Sequence, residues 1–178
     1  MQKGFTNVHG IDISLDQIKM AHELGLNNAI HGDIFDFLAN NYEKFDIILG
    51  IDIVEHLQKG ELTVLMKEVH ATLKTNGIAV FRTPNADGIG NTVFSAGDFT
   101  HENILNGFSA KQICLSAGFT DVQVVKSFIR VDNPVKEVIR KIFWTVFTFL
   151  KRLELFAAGI SNKKVILTPN LLFKVVKH

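Results

Sequence analysis

The chain has 178 residues, of which 47% are apolar and 21% charged, with one cysteine and a formal net charge of +1. That composition fits one folded domain with a core of its own, and it excludes an internal disulfide and a zinc cage of thiolates. The charge is uneven, however: residues 1–133 carry ten Lys/Arg against sixteen Asp/Glu, and residues 134–178 carry nine against two. The tail therefore either meets something anionic or covers the acidic body.

Gly4-Phe5-Thr6-Asn7 reads as a helix end and a turn, and residues 8–13 as a strand. Ser14 and Gln17 have capping-box spacing, which predicts a helix to about Leu24 with Gly25 as a left-handed stop. Residues 28–31 form a short strand ending at Gly32-Asp33, and a brief helix over 34–40 follows. The next stretch, from Phe45, is a run of large apolar residues that opens with Asp46 and closes on Gly50, too short for a free-standing helix. It suits a strand buried on both faces. At Gly50 backbone can approach a ligand closely, and then come Asp52, Glu55 and His56. Ligands of open α/β sheets bind outside the carboxyl ends of the strands, so chemistry is expected here.

Leu62, Leu65, Met66, Val69 and Leu73 recur at helical spacing, with Asn76-Gly77 as the expected end. Residues 78–82 form another buried strand, closed by Thr83-Pro84-Asn85. Strand and helix have by then alternated three times, as in a parallel doubly wound sheet. Residues 87–107 lack periodicity and hold Asp98, His101 and Glu102; a loop of that length is usually functional or disordered. Ser109 and Gln112 suggest a second capping box, with a helix stopping at Gly118. A strand over 122–127 follows, then a long helix from Asn133-Pro134 to about Ala158, then extended segments at 165–167 and 170–176. Cys114 lies on the apolar side of its helix and is expected in the core.

Together these pieces resemble a class I S-adenosylmethionine-dependent methyltransferase over roughly residues 4–128, with 170–177 suiting the last strand. The resemblance implies an α/β fold with a Rossmann-like, doubly wound, mostly parallel sheet. It implies S-adenosylmethionine as cofactor, with Asp12, beside Ile13, accepting hydrogen bonds from two ribose hydroxyls. A carboxylate suits a vicinal diol because its two oxygens take both donors. In the resemblance Asp33 takes the adenine amine, Ile34 packs on the ring, and Gly50 lies at the donor. The bland alternative for both acids is a helix start, favourable at the positive end of the dipole.

The family pattern opens with a strand, an acid and a Gly-x-Gly-x-Gly turn. This sequence has none; Gly88-Ile89-Gly90 is a lone pair in another context. In the family topology the missing strand lies between those of Asp12 and Gly50, and its loss would expose two strand edges. Those strands could pair directly, another chain could fill the gap, or the sequence could be a fragment of a longer protein, which is the expected case. The sheet is thus expected to be incomplete at its N-terminal strand.

Methyl transfer needs donor and acceptor aligned in line and, often, a base for the acceptor. His56 and His101 are the candidate catalytic bases. The bland readings are a helix-start pair for Glu55-His56 and a solvated loop residue for His101. On a helix Asp52, Glu55 and His56 would share one face and, with His101, could ligate a divalent ion. This resembles the acid-x-x-Glu-His pattern of ubiquinone-pathway and small-RNA 3′-end methyltransferases, but Asp52 stands where those carry Glu. No metal is expected.

In the tail, an apolar stripe from Val135 to Leu153 is flanked by Lys136, Arg140, Lys141, Lys151 and Arg152. Its uninterrupted apolar centre is far short of the roughly 20 residues that span a bilayer. A basic amphipathic helix with aromatics can lie in a membrane interface, giving peripheral contact through 135–158, or can bury its stripe on the domain or in a homodimer. Packing or dimerisation is the expected use. The organisation read from this is a partial methyltransferase-like core over 1–133, an amphipathic helical insertion over 134–162, and a strand over 163–178 returning to the core.

The expected function is methylation, on oxygen, of a small, sugar- or lipid-linked acceptor in the cytoplasm, with or without membrane association. Gly97-Asp98-Phe99-Thr100-His101-Glu102 resembles sugar-modifying methyltransferases. The alternative is a non-catalytic remnant acting as an interaction module. A nicotinamide enzyme would also place an acid at Asp12, but the spacing to Asp33 favours the sulfonium cofactor. Nucleic acid is not an expected partner, since the basic face has no groove-reading module.

Overall fold

A computed structural model of the chain describes residues 7–160 and 164–178, so the turn read at 4–7 lies outside the described residues except for Asn7. The elements are β1 (Gly10–Asp12), α1 (Leu15–Glu23), β2 (Ala29–His31), α2 (Ile34–Ala39), β3 (Phe45–Ile51), α3 (Lys59–Thr72), β4 (Leu73–Pro84), α4 (Asn91–Ser95), α5 (Gly107–Ser116), β5 (Asp121–Ser127), α6 (Pro134–Ala157) and β6 (Asn170–Val176). A single 3-10 turn, Val54–His56, joins β3 to α3.

The strands form two sheets. β1 pairs with β2 in parallel, and a four-stranded sheet runs β3-β4-β6-β5. β3 and β4 are parallel, whereas β6 returns antiparallel between β4 and β5. The architecture is α/β with an open, mixed sheet. Among the described residues no ladder joins β1 to β3, so direct pairing does not close the gap between them.

The core lies between α3, α5 and the four-stranded sheet. Leu62, Leu65, Met66 and Val69 of α3 meet Phe81 of β4 and Phe173 of β6, whose rings stack at 5.1 Å. Cys114 is fully buried there, as expected, and burial pushes its thiol up to about 12. Gly25 and Gly118 end their helices at positive φ.

Two expected boundaries move. α3 ends at Thr72 rather than at Asn76-Gly77, because Leu73 already pairs with Phe45 across β3. The left-handed turn at Asn76 falls inside the following extended segment, held by its N–H on the Lys177 carbonyl. The cap of α5 lies three residues before the proposed one: Asn106 is the cap, accepting from Phe108 and Ser109, and Ser109 answers from the third position.

The largest departure concerns α6. Its apolar stripe is not buried on the domain or on any other described element, although Phe147 and Leu150 border Gly88–Gly90: no residue of α6 is buried. The half-buried residues are Glu137, Arg140, Trp144, Thr148, Lys151, Arg152 and Leu155, on one side of the helix and mostly polar. They face Phe128, Ile129, Leu167, Thr168 and Pro169. The apolar side points to solvent, with Ile142 59%, Phe143 57% and Phe149 60% exposed.

Candidate functional site

Two hollows adjoin at the carboxyl ends of the parallel strands. The first, about 400 Å³, is walled by the ends of β1, β2 and β3: Ile11, Asp12, Ile13; Gly32, Asp33, Ile34; and Ile51, Asp52, Ile53 with His56. The second, about 350 Å³, is lined by Asp52, Glu55, His56, Pro84, Asp98, His101 and Asn170, among others. Asp52 and His56 border both, so the two hollows meet along that pair.

Asp12 and Asp33 are set in the same way. Asp12 Oδ1 accepts the Ser14 N–H at 2.7 Å. Asp33 Oδ1 accepts the N–H groups of Phe35 and Asp36, capping α2. Each carboxylate is thus oriented by a helix start and leaves Oδ2 without a hydrogen bond among the described residues. The helix-start reading and the ligand reading are therefore compatible: one oxygen fixes the side chain, and the residue lines the cleft. β1 and β2 are tied at this end by Gly32 N–H on Asp12 O and by His31 Nε2 on Ile13 O at 3.0 Å. That tie gives His31 a structural task the spacing of the histidines did not reveal.

Gly50 does not line either hollow. A Cβ there would collide with the ring of Phe81 on the neighbouring strand, so its missing side chain makes room for a core aromatic rather than for a ligand. The next residue, Ile51, lines the cleft instead.

Asp52 leaves the predicted ligand set. It has φ +51 and forms a two-point ion pair with Arg82 of β4, which holds the guanidinium above its usual range. A 3-10 turn over Val54–His56, not an α-helix, follows, and Asp52 lies outside it, committed to Arg82. Instead Glu55, His56 and His101 converge, with one ligand atom from each lying within 4.8 Å of the others. These residues could hold a metal ion by position, although Glu55 Oε2 already accepts the Thr83 hydroxyl at 3.0 Å. Glu55 is 2% exposed, and burial raises its carboxyl above the usual range.

The loop over 96–106 brings His101 in. His101 Nδ1 meets the Ser95 carbonyl at 3.0 Å, and its ring stands edge-on to His56 at 4.8 Å. Thr100 supplies what sequence reasoning missed. Its hydroxyl lies 2.7 Å from Asp98 Oδ1 and 2.9 Å from His56 Nδ1. A carboxylate only accepts, so the single hydroxyl proton goes to Asp98, and His56 Nδ1 must carry the proton it shares with Thr100. The Thr100 hydrogen bonds hold Asp98 below the usual carboxylate range. His56 is thereby fixed as the tautomer whose Nε2 has a free lone pair. No spacing signal links residues 56 and 100; only the turn Asp98-x-Thr100, with the Thr100 N–H on Asp98 Oδ1, hinted at local order.

A family model described as a methyltransferase domain matches residues 1–124. No curated protein matches at a significant level. Among solved structures, a SAM-dependent methyltransferase from Archaeoglobus fulgidus superposes with a TM-score of 0.67 at 22% identity, covering 94% of this chain and 75% of that one. A SAM-dependent methyltransferase from Thermotoga maritima, described as a possible histamine N-methyltransferase, gives 0.64 at 13% identity, covering 95% and 72%. Phosphoethanolamine N-methyltransferase 2 of Haemonchus contortus, solved with S-adenosyl-L-methionine, gives 0.57 at 17%, covering 96% and 43%. At these identities the likeness is one of fold.

Proposed function

This chain belongs to the methyltransferase-domain family as a class I S-adenosylmethionine-dependent enzyme, and we propose that it methylates an oxygen of a small, sugar- or lipid-linked acceptor with His56 as base. The observation that carries the reading is the His56–Thr100–Asp98 chain at the border of two hollows.

In this reading the cleft of Asp12 and Asp33 takes the donor and the adjoining hollow takes the acceptor. The fit rests on two free carboxylate oxygens set at successive strand ends and on a cleft of a size that small-molecule sites commonly have. Asp12 Oδ2 accepts from ribose hydroxyls, Asp33 Oδ2 accepts from the adenine amine, and Ile13 and Ile34 flank them with apolar surface. S-adenosylmethionine supplies an electrophilic methyl on a sulfonium. His56 Nε2 would take the proton of the acceptor hydroxyl while the methyl–sulfur bond breaks and the carbon–oxygen bond forms, S-adenosylhomocysteine being the leaving thioether. Asp98, acting through Thr100, then stabilises the imidazolium and keeps the ring from rotating. His101, whose Nδ1 is tied to the Ser95 carbonyl, offers its Nε2 to the same hollow. Asp98 and Asn170 can accept from the further hydroxyls of a polyol.

Calorimetry with S-adenosylhomocysteine tests the donor half. Micromolar binding that is lost in Asp12→Ala and weakened in Asp33→Ala supports it; absence of heat favours the interaction-module alternative. His56→Ala tests the chemical half. It should keep that binding and lower turnover by about 10²–10⁴-fold. Full turnover in His56→Ala excludes the base assignment.

A further inference from the structure

Helix α6 is mounted inside out. A helix lying on a soluble domain normally buries its apolar stripe and shows its charges to water. Here Glu137, Arg140, Thr148 and Lys151 turn inward, and Ile142, Phe143, Val146 and Phe149 turn outward. On the polar side Trp144 and Thr148 lie beside Phe128, Leu167 and Thr168. Glu137 accepts the Val131 N–H at 3.2 Å and pairs with Arg140 through both oxygens, which lowers its carboxyl to about 2. The outward face is left without a cover among the described residues.

We propose that this cover is an anionic lipid surface, with α6 lying in its plane and the domain held above it on the helix's polar side. Three observations choose the occupant. First, at about 100° per residue the apolar positions sweep about half of the circumference, wider than the seam two helices share in a dimer. An interfacial helix buries such a face whole. Second, α6 carries five Lys/Arg against two Asp/Glu, and residues 134–178 carry nine against two, beside an acidic body. Exposed Lys136 and Lys141 sit on opposite borders of the apolar face, where lipid phosphates would lie. Third, no helix among the described residues is long and apolar enough to cross a membrane, so the stripe fits lying on one rather than spanning it. The placement also bears on the acceptor hollow. The outer half of α6, at Phe147, Leu150 and Lys151, borders Gly88–Gly90, directly before α4, whose Val93 lines that hollow.

Vesicle flotation of the full chain tests this, with phosphatidylcholine alone and with phosphatidylglycerol added. Binding should require the anionic lipid and weaken about fivefold for each cation reversed in Lys136→Glu and Lys141→Glu. The pair Ile142→Asp/Phe143→Asp should abolish it. These side chains are solvent-exposed, so circular dichroism should show the fold intact. Trp144 is the only tryptophan and sits on the inward side, so it supplies an orientation readout. Its emission should stay insensitive to spin-labelled lipids, while Ile142→Trp in a Trp144→Phe background should shift to the blue and be quenched. Absence of binding to the anionic vesicles overturns the proposal. So does a dimer in solution that Ile142→Asp/Phe143→Asp dissolves without any loss of vesicle binding. Neither result touches cofactor binding, which calorimetry reads separately.

Discussion

The unit of β1, α1, β2 and α2 and the four-stranded body are built to different standards. In the body, α3 alone buries five side chains and Phe81 and Phe173 stack in a closed core. In the other unit α1 buries only Ile18 and α2 only Leu38, while Ile13, Met20 and Leu24 lie exposed. It is fastened to the body chiefly where α2 packs on α3, through Leu38 and its neighbours. Yet the two acids proposed to hold the donor sit on this thin unit, and the proposed base sits on the firm one. Local stability is set by buried contacts, so the donor side should open more readily than the catalytic side. A donor bridging them would add its binding energy to the weaker unit.

The sharpest way to break this contrast is to attack the body. Phe81→Ala should cost about 3–5 kcal/mol in urea unfolding, whereas Ile30→Ala, at a half-exposed position of β2, should cost well under 1 kcal/mol. Equal costs would dissolve the distinction. Gly50→Ala comes next. The added methyl meets the Phe81 ring, so it should destabilise by about 1–3 kcal/mol while the folded fraction keeps its affinity for S-adenosylhomocysteine. A selective loss of affinity would return Gly50 to the donor site. Thr100→Val should lower turnover by about tenfold to a hundredfold without changing that affinity, because it disturbs only the orientation of His56 on the body side. The smallest effect concerns Glu55. Its folded-state carboxyl titrates above the usual value, so the folded form gains most from it below about pH 4.5 and loses that gain as pH rises through the raised value. Glu55→Gln should therefore raise the melting temperature at pH 8 and leave it unchanged at pH 4.

Much of the fold was legible because local rules governed it. Gly25, Gly118 and Asn133-Pro134 mark their helix ends through backbone conformation and capping, which depend on a few neighbouring residues. Asp12 and Asp33 were legible as candidate ligands because they follow strands and precede helices. What failed were the choices made across the chain. Asp52 pairs with Arg82 thirty residues away, and Thr100 reaches His56 from forty-four residues away. Leu73 joins a strand because Phe45 is there to receive it. For α6, periodicity gives the width of the stripe but says nothing about which way it faces. Only the folded chain shows that its polar side lies beside Phe128, Ile129, Thr168 and Pro169.

The solitary thiol of Cys114, sealed in the core and reluctant to ionise, has a practical use. The native chain should therefore react with maleimides and methanethiosulfonates as though it had no cysteine at all. Reporter pairs can therefore be attached at solvent-facing sites without first engineering the background. Labels at Met20→Cys on α1 and Val64→Cys on α3, both exposed and outside the cleft, would straddle the break between the two units. Their dipolar separation would serve as a ruler for how far the halves move apart and come together.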